Sequence, residues 1–266
     1  MRQFLRVALV AMVLVGVSRS AAAEPLLQLD VVGGRYDLST ESILSNGPVF
    51  QLVALLTPKA GASFNAGDWY YVSAAVTPQM APPGGNYGSF TWSDAATSTR
   101  TIQATGGMEY GTPPIESALV GLEPRDPGDL ATHGIYPTYF TEFAFQFLPG
   151  DRSTTYNSAT APGGLTPNAL GGTYYHVFNL NVSGLTAPIS ALHFDLYDTF
   201  LKTECMGPTK SRVCSVDEDV DHFAPFSHDA QSGPGVPVVP EPATLVLLAT
   251  GLAVSARSIR RRPGTK

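Results

Sequence analysis

Short stretches in which apolar and polar residues alternate recur along the middle of the chain. A period of two, bounded by Gly, Pro, Asn or Asp, predicts β-strands that bury one face. The clearest example is Phe143-Ala144-Phe145-Gln146-Phe147, which places three phenylalanines on one face. The predicted strands are 27–31, 49–56, 69–76, 142–147, 174–182 and 191–197, with weaker candidates at 89–92 and 102–105. This pattern predicts an all-β fold, a single antiparallel β-sandwich over residues 24–231, for which a jelly-roll is one topology.

The first 23 residues follow a different pattern. Arg2 and Arg6 precede an apolar stretch at 7–17, and the segment closes with Ala21-Ala22-Ala23. This order is typical of a secretory signal peptide, with cleavage expected between Ala23 and Glu24. An uncleaved anchor helix is the alternative, and the short apolar stretch and the small residues after it disfavour that interpretation. The mature chain is therefore expected outside the cytoplasm.

The C-terminal residues are polar, then apolar, then basic. Residues 243–256 form an uncharged run of 14 residues, and at about 1.5 Å per residue a helix of this length covers about 21 Å of a hydrocarbon core about 30 Å thick. The run predicts a short transmembrane helix rather than a buried core helix, because the basic end favours the cytoplasmic side of a membrane. The flanking basic residues are Arg257, Arg260, Arg261 and Arg262. Residues 232–239, rich in Pro and Gly, are expected to form an extended linker before the tail at 240–266.

The motif Pro240-Glu241-Pro242, followed by the apolar run and the arginines, resembles the PEP-CTERM sorting signal of exopolysaccharide-producing bacteria. The resemblance implies that exosortase, a membrane protease-transferase, recognises the tail and processes it near this motif. The protein would then be anchored transiently in the inner membrane and would finish at the cell surface or outside the cell. The resemblance covers about a tenth of the chain.

Three stretches of the body resemble the choice-of-anchor class of bacterial extracellular proteins, and most nearly choice-of-anchor N. They are residues 27–37, 133–143 and 221–229. That resemblance implies an extracellular location and no catalytic residues.

Removing both ends changes the charge balance of the chain. Residues 24–239 carry 21 acidic and 8 basic side chains, a formal net charge of −13, against −6 for the whole chain. Such a surface repels nucleic acid, so a nucleic-acid partner is not expected.

The two cysteines, Cys205 and Cys214, enclose a short loop after a predicted strand. In an oxidising compartment they are expected to form a structural disulfide, which would contribute about 2 to 3 kcal/mol in the chain-entropy account. Two free thiols are the alternative. A two-cysteine metal site would need further ligands, and the spacing does not provide them.

An acidic stretch follows the second cysteine. Asp217, Asp219 and Asp221 alternate as the ligands of a Ca²⁺ loop can, with Asp195 and Asp198 as further ligands. The EF-hand glycine and closing glutamate are missing, so a solvated acidic loop is preferred and Ca²⁺ is the weaker alternative. No other cofactor is expected.

The histidines offer a second candidate chemistry. His193 and Asp195 share one strand face with Tyr197, because side chains two apart point the same way. Zinc binding by a mixture of His133, His193, His222 and His228 is conceivable, but ordinary hydrogen-bonded histidines are preferred, since no ligand spacing repeats.

Three functions fit these observations. A non-enzymatic cell-surface or extracellular-matrix protein associated with exopolysaccharide or biofilm is preferred, because no catalytic motif is present. A carbohydrate-binding module is the alternative, with aromatic rings in or beside loops at Tyr87, Trp92, Tyr136, Tyr139 and Phe140. Aromatic residues that fill the core of the sandwich are the preferred interpretation of these rings. A polysaccharide hydrolase is the third; its candidate carboxylates are Glu109, Glu116 and Glu142, and it would need two of them at a catalytic separation.

Overall fold

The computed structural model describes residues 26–59, 64–95, 97–113, 136–206, 208 and 212–233, of which 200–204, 213 and 215–221 are described by their backbone. The described residues form strands that are longer, on the whole, than the alternation predicted. In chain order the strands are β1 Leu27–Val31, β2 Arg35–Asp37, β3 Ser42–Leu44, β4 Val49–Leu56, β5 Tyr70–Thr77, β6 Ser89–Asp94, β7 Arg100–Gln103, β8 Glu109–Gly111, β9 Thr138–Phe145, β10 Arg152–Ser153, β11 Thr173–Asn181, β12 Ala191–Met206, β13 Val213–Phe223 and β14 Asp229–Gln231. A 3-10 turn, Phe226–His228, precedes β14.

The strands form two sheets. The six-stranded sheet has the order β1-β4-β11-β6-β7, with β10 paired to β11. The eight-stranded sheet has the order β2-β3-β14-β12-β5-β9-β8, with β13 paired to β12. The predicted all-β fold is confirmed. The expectation of a purely antiparallel fold is wrong at one place, because β14 runs parallel to β3, with Ala230 opposite Ile43.

The hydrophobic core lies between the two sheets and is rich in aromatic rings. Trp92 of the six-stranded sheet stacks on Phe143 of the eight-stranded sheet, with ring centroids 3.8 Å apart and planes 2° from parallel. Phe143, Phe145 and Phe147 are all buried in this core, as the alternation of the sequence predicted. Burial of aromatic side chains of this size is the main driving force for joining the sheets.

The acidic stretch is the main error of the sequence-based assignment. Asp217, Asp219 and Asp221 lie within strand β13, not in a loop. β13 continues a long hairpin with β12, in which Cys205 lies directly opposite Cys214. The hairpin geometry therefore overrides the low strand propensity of the aspartates, since propensity is a weak guide when tertiary pairing is strong.

The predicted signal peptide at 1–23, the signal cleavage site, the linker, the sorting motif and the basic tail lie outside the described residues. Among the residues that the structure describes, no helix is long and apolar enough to cross a membrane. The predicted membrane helix at 243–256 is likewise outside that set.

Candidate functional site

Strand β12 sends alternate side chains to opposite faces of the eight-stranded sheet. Leu192, Phe194 and Leu196 enter the core between the sheets. His193 and Asp195 therefore point to the other face, as the period of two predicts. Their environment is nevertheless closed to solvent, since His193 is 4% exposed and Asp195 is 0% exposed. A buried histidine and carboxylate on the outer face of a sheet need a physical explanation.

Strand β14 brings a second carboxylate to this pair. It lies beside β12, with Gln231 opposite His193, and it begins at Asp229, which is 0% exposed. The Nε2 atom of His193 is 3.2 Å from Oδ1 of Asp195 and 3.7 Å from Oδ2 of Asp229. One atom from each of the three side chains lies within 4.8 Å of the others. We call His193, Asp195 and Asp229 the β12–β14 cluster.

The two carboxylates decide the charge of the histidine. Burial alone would lower the pKa of His193, because it disfavours the charged ring. The negative charges of Asp195 and Asp229 act in the opposite direction, and together they raise the pKa of His193 to about 10. In the absence of another cation the ring is therefore an imidazolium at neutral pH.

A hydrogen bond to the other oxygen, Oδ2, holds the Asp195 carboxylate in place. The hydroxyl of Ser73, on the neighbouring strand β5, donates to Oδ2 of Asp195 at 3.0 Å. This bond leaves Oδ1 directed toward His193. Neither that oxygen nor Nε2 of His193 makes a hydrogen bond of acceptable geometry, although both are buried.

A tyrosine and a glutamate extend the polar network across the same face. Tyr197, two residues beyond Asp195, is fully buried and donates its hydroxyl proton to Oε1 of Glu142 on β9. Its ring stacks on that of Tyr71, with centroids 5.3 Å apart. Burial and the nearby carboxylate hold the pKa of Tyr197 well above its usual value. Tyr197 therefore remains a neutral hydrogen-bond donor.

Sequence reasoning found two members of the β12–β14 cluster and missed the third. His193 and Asp195 were paired by strand alternation, whereas Asp229 was assigned no role. The local sequence holds no signal for it, because Asp229 reaches the cluster only through the pairing of β14 with β12 and, in parallel, with β3.

The other histidine candidates do not join this cluster. His228 is buried beside Ser227, whose hydroxyl lies 2.9 Å from its Nδ1 atom, and burial lowers the pKa of His228. His222 lies 3.3 Å from Asp198 through Nδ1. The backbone N–H of His222 also donates to that carboxylate, so Asp198 closes the hairpin locally. His133 lies outside the described residues.

The weak Ca²⁺ candidates remain a prediction. The structure describes the backbone of β13 at Asp217, Asp219 and Asp221 and not their side chains. The predicted disulfide is present, joining Cys205 and Cys214 across the same hairpin.

Most of the aromatic residues expected to stack on sugars belong to the core. Trp92 is 2% exposed, Tyr139 8% and Phe140 0%. Tyr136 is partly buried, and desolvation raises its pKa to about 12. Tyr87 is also partly buried against the core. The expectation that these rings are available to sugars is therefore wrong for Trp92, Tyr139 and Phe140. Strands β6 and β9 turn Trp92 and Tyr139 into the core between the sheets, whereas Phe140 is buried on the other face of the eight-stranded sheet.

The hydrolase candidates are distributed between different environments. Glu109 is exposed on β8, and Glu142 accepts the hydrogen bond from Tyr197. Glu116 lies outside the described residues. Glu142 therefore has a structural partner in Tyr197. The polysaccharide hydrolase stays a prediction.

An open groove of about 560 Å³ lies near the point where the described chain ends. Its lining includes Arg35, Asn46, Ser183 and the segment Ser232-Gly233. The guanidinium group of Arg35 is 3.8 Å from Asp37, and its side chain is 58% exposed. The amide of Asn46 donates to the carbonyl of Gly33, which holds that side chain at the edge of the groove. We call this feature the Arg35 groove.

The comparison with known protein families matches the C-terminal tail of the chain. Residues 238–262 match the family model described as the PEP-CTERM protein-sorting motif, a C-terminal sorting signal. This motif marks an exosortase-targeted exported protein, and it implies processing by exosortase and transient attachment to the membrane through the C-terminus. The chain thus carries a PEP-CTERM sorting motif, as the tail of the sequence predicted.

The sandwich itself has no comparable match. No curated protein matches the sequence. Among solved structures, the chain is similar to one described by the words "AvmM Catalyzes Macrocyclization in Alchivemycin A Biosynthesis", with 8% sequence identity and a TM-score of 0.32 over 79% of this chain and 90% of that one. The resemblance to choice-of-anchor N stays a prediction.

Proposed function

We propose that this protein is a non-enzymatic component of the cell surface or extracellular matrix that associates with exopolysaccharide after exosortase processing. The observation that carries the proposal is the sorting motif at 238–262, which begins soon after the last strand of the sandwich ends at Gln231. A folded domain followed directly by a processing signal is suited to delivery as a finished unit. Its role is then performed by its surface.

The burial of the β12–β14 cluster supports the non-enzymatic part of this proposal. A catalytic histidine and carboxylate must come within hydrogen-bond reach of a substrate. His193, Asp195 and Asp229 are each at least nine-tenths buried. The cluster is therefore better placed to hold strands together than to transfer a proton to an external molecule.

Processing is tested by changing the motif in the full-length protein expressed in its native host. Glu241→Gln should leave export and membrane insertion intact and should prevent removal of the tail, which mass spectrometry of the C-terminus would show. Glu109→Gln, an exposed glutamate on β8, is the matched control and should be processed normally. Normal processing of Glu241→Gln would contradict the assignment of the motif as the recognition element.

The matrix role is tested by fractionation of the culture. The processed protein should co-purify with secreted polysaccharide and should be released when that polysaccharide is digested. A chain lacking 243–266 should lose its membrane-bound stage and should appear in the periplasm or the medium. Recovery of the wild-type protein only from membranes, with none in the polysaccharide fraction, would overturn the matrix role.

The Arg35 groove favours carbohydrate binding as a second candidate. Hydroxyl, amide and guanidinium groups along an open groove can hydrogen-bond to sugar hydroxyls. Arg35→Ala should then weaken binding to the host's exopolysaccharide on a glycan array or by calorimetry. Arg100→Ala, which removes an exposed arginine from β7 of the other sheet, should leave that binding unchanged. Equal effects of the two substitutions would point to non-specific charge attraction instead.

A further inference from the structure

The β12–β14 cluster has the donor atoms and spacing of a metal centre. We propose that it binds one divalent transition-metal ion through Nε2 of His193, Oδ1 of Asp195 and a carboxylate oxygen of Asp229. This inference concerns the stability of the sandwich and is independent of the proposed association with exopolysaccharide.

The distances between the donor atoms support this assignment. Zinc forms bonds of about 2.0 to 2.2 Å with imidazole nitrogen and carboxylate oxygen, so two ligands in a tetrahedral site lie about 3.3 Å apart. The observed separations from Nε2 of His193 are 3.2 Å to Asp195 and 3.7 Å to Asp229. Both separations are within a few tenths of an ångström of this value, and the two carboxylates offer oxygens within 4.8 Å of each other, so a bound ion would draw the carboxylates together.

The hydrogen bonding of His193 and Asp195 gives a second, independent reason. Nε2 of His193 and Oδ1 of Asp195 are buried and have no hydrogen bond of acceptable geometry. The two atoms face each other as an ion pair at 3.2 Å without an aligned hydrogen bond, and buried polar atoms usually have one. Binding of a metal ion displaces the Nε2 proton of His193, and the ring nitrogen and the carboxylate oxygen are then both bound to the cation.

Ser73 acts as a positioning residue in this arrangement. Its hydroxyl donates to Oδ2 of Asp195, so the other oxygen of that carboxylate remains available to the ion. Hydrogen bonds that orient a metal-binding carboxylate commonly change metal affinity by about 10- to 100-fold.

The donor set selects the kind of metal. One imidazole nitrogen with carboxylate oxygens suits Zn²⁺ and neighbouring transition metals, whereas Ca²⁺ prefers a shell made of oxygen atoms. The β12–β14 cluster is also buried on all three members. The three protein ligands leave the fourth position of a tetrahedral zinc site to a water molecule, and the burial of the cluster favours a structural role for the ion.

The site would fasten the last strand of the sandwich. β14 has three residues, Asp229–Gln231, and the chain continues from it toward the sorting motif. A metal bound to Asp229 on β14 and to His193 and Asp195 on β12 would cross-link the two strands. The strand nearest the membrane-attached tail would then resist being pulled from the sheet.

Metal content and binding would test the site on the full-length protein. The chain, purified in detergent without a histidine tag, is stripped with a chelator and titrated with Zn²⁺. We expect one equivalent to bind, and the melting temperature to rise with it. X-ray absorption of the zinc-loaded protein should show one imidazole nitrogen with oxygen ligands. No saturable binding, or a ligand shell containing sulfur or several imidazoles, would overturn the proposal.

Variants assign the ion to this cluster. Asp195→Asn and His193→Gln should weaken zinc binding at least about tenfold, and Ser73→Ala should weaken it by about 10- to 100-fold while removing only one hydroxyl. His176→Gln, which changes a partly buried histidine on the other sheet, is the matched control and should bind zinc as the wild type does. Unchanged affinity in Ser73→Ala together with Asp195→Asn would overturn the assignment, and X-ray absorption of the wild type keeps the test valid if a variant fails to fold.

Discussion

Two histidines of this protein, one partly and one fully buried, each face a carboxylate at the same distance, yet their charge at neutral pH is opposite in tendency. His176, on β11 of the six-stranded sheet, has its Nε2 atom 3.2 Å from Oδ2 of Asp94. His193, on β12 of the eight-stranded sheet, has its Nε2 atom 3.2 Å from Oδ1 of Asp195. Burial lowers the pKa of His176, despite Asp94. The pKa of His193 is raised to about 10.

The second carboxylate accounts for the difference. His193 is also 3.7 Å from Asp229, whereas the ring of His176 lies among aromatic side chains, with centroids 4.8 Å from Phe145 and 4.6 Å from Phe178. One carboxylate in contact with the ring does not offset the desolvation of an imidazolium in such surroundings, and two do. A single His–Asp contact is therefore a poor guide to the charge of a buried histidine.

The largest expected effect comes from removing one carboxylate of the charged site. Asp195→Asn, measured in the presence of a chelator, should lower the free energy of unfolding by about 3 kcal/mol, the lower end of the range for breaking a buried ion pair. The imidazolium of His193 would keep only Asp229 as a close counter-charge. Chemical denaturation of the full-length protein would measure the loss.

A double variant provides the control for that prediction. In His193→Gln/Asp195→Asn neither charge of the pair remains, so the double variant should be less destabilised than the sum of the two single variants. Additive losses would show that Asp195 stabilises the fold without acting on His193.

The sequence predicted the contact between His193 and Asp195, which are close in the chain, and not the contact with Asp229, which is distant in the chain. Alternation placed His193 and Asp195 on one face because a strand has a period of two. The role of Asp229 was not predicted because a three-residue strand has too few residues to show an alternation. Its partner Ser42 also lies far away in the chain. The same limit explains Phe140: its burial depends on what covers the outer face of the sheet, and a strand pattern does not report that.

The segments with unusual composition were the hardest to predict. Asp217, Asp219 and Asp221 break the apolar alternation that indicates a strand, yet they lie in β13 because the hairpin from Cys205 to Cys214 aligns them with β12. The sorting tail was predicted for the opposite reason. Its signal is a local sequence motif, read by a partner protein, and it does not depend on the fold.

A smaller effect is expected when the carboxylate beside the neutral histidine is changed. Asp94→Asn should lower the free energy of unfolding by about 1 kcal/mol, the typical value for one hydrogen bond. A neutral imidazole can exchange tautomers, so Nε2 of His176 can accept a hydrogen bond from the N–H of the new asparagine. Both ring nitrogens of an imidazolium, as in His193, can only donate. The other oxygen of Asp94 accepts from the backbone N–H of Thr97 at 2.6 Å, and the asparagine oxygen can keep that bond.

The loss of unfolding free energy in Asp94→Asn is to be compared with the loss in Asp195→Asn. Denaturation of both variants under the same conditions should show the loss at Asp195 to be clearly the larger. A loss at Asp94 equal to that at Asp195 would mean that His176 is also charged in the folded protein.

The smallest effect is the dependence of stability on pH that His176 contributes. Since the folded-state pKa of His176 lies below its ordinary value, the unfolded chain binds more protons as the pH falls through about 6.5, and stability decreases on acidification. Asp94 and Asp151 are the carboxylates whose charge acts on this ring. His176→Gln should therefore lose less stability than the wild type over that interval, as measured by denaturation at both pH values. A wild-type protein that becomes more stable than the variant as the pH falls would show that one contacting carboxylate is enough to hold the proton on His176. The number of contacting carboxylates would then not explain the difference between the two sites.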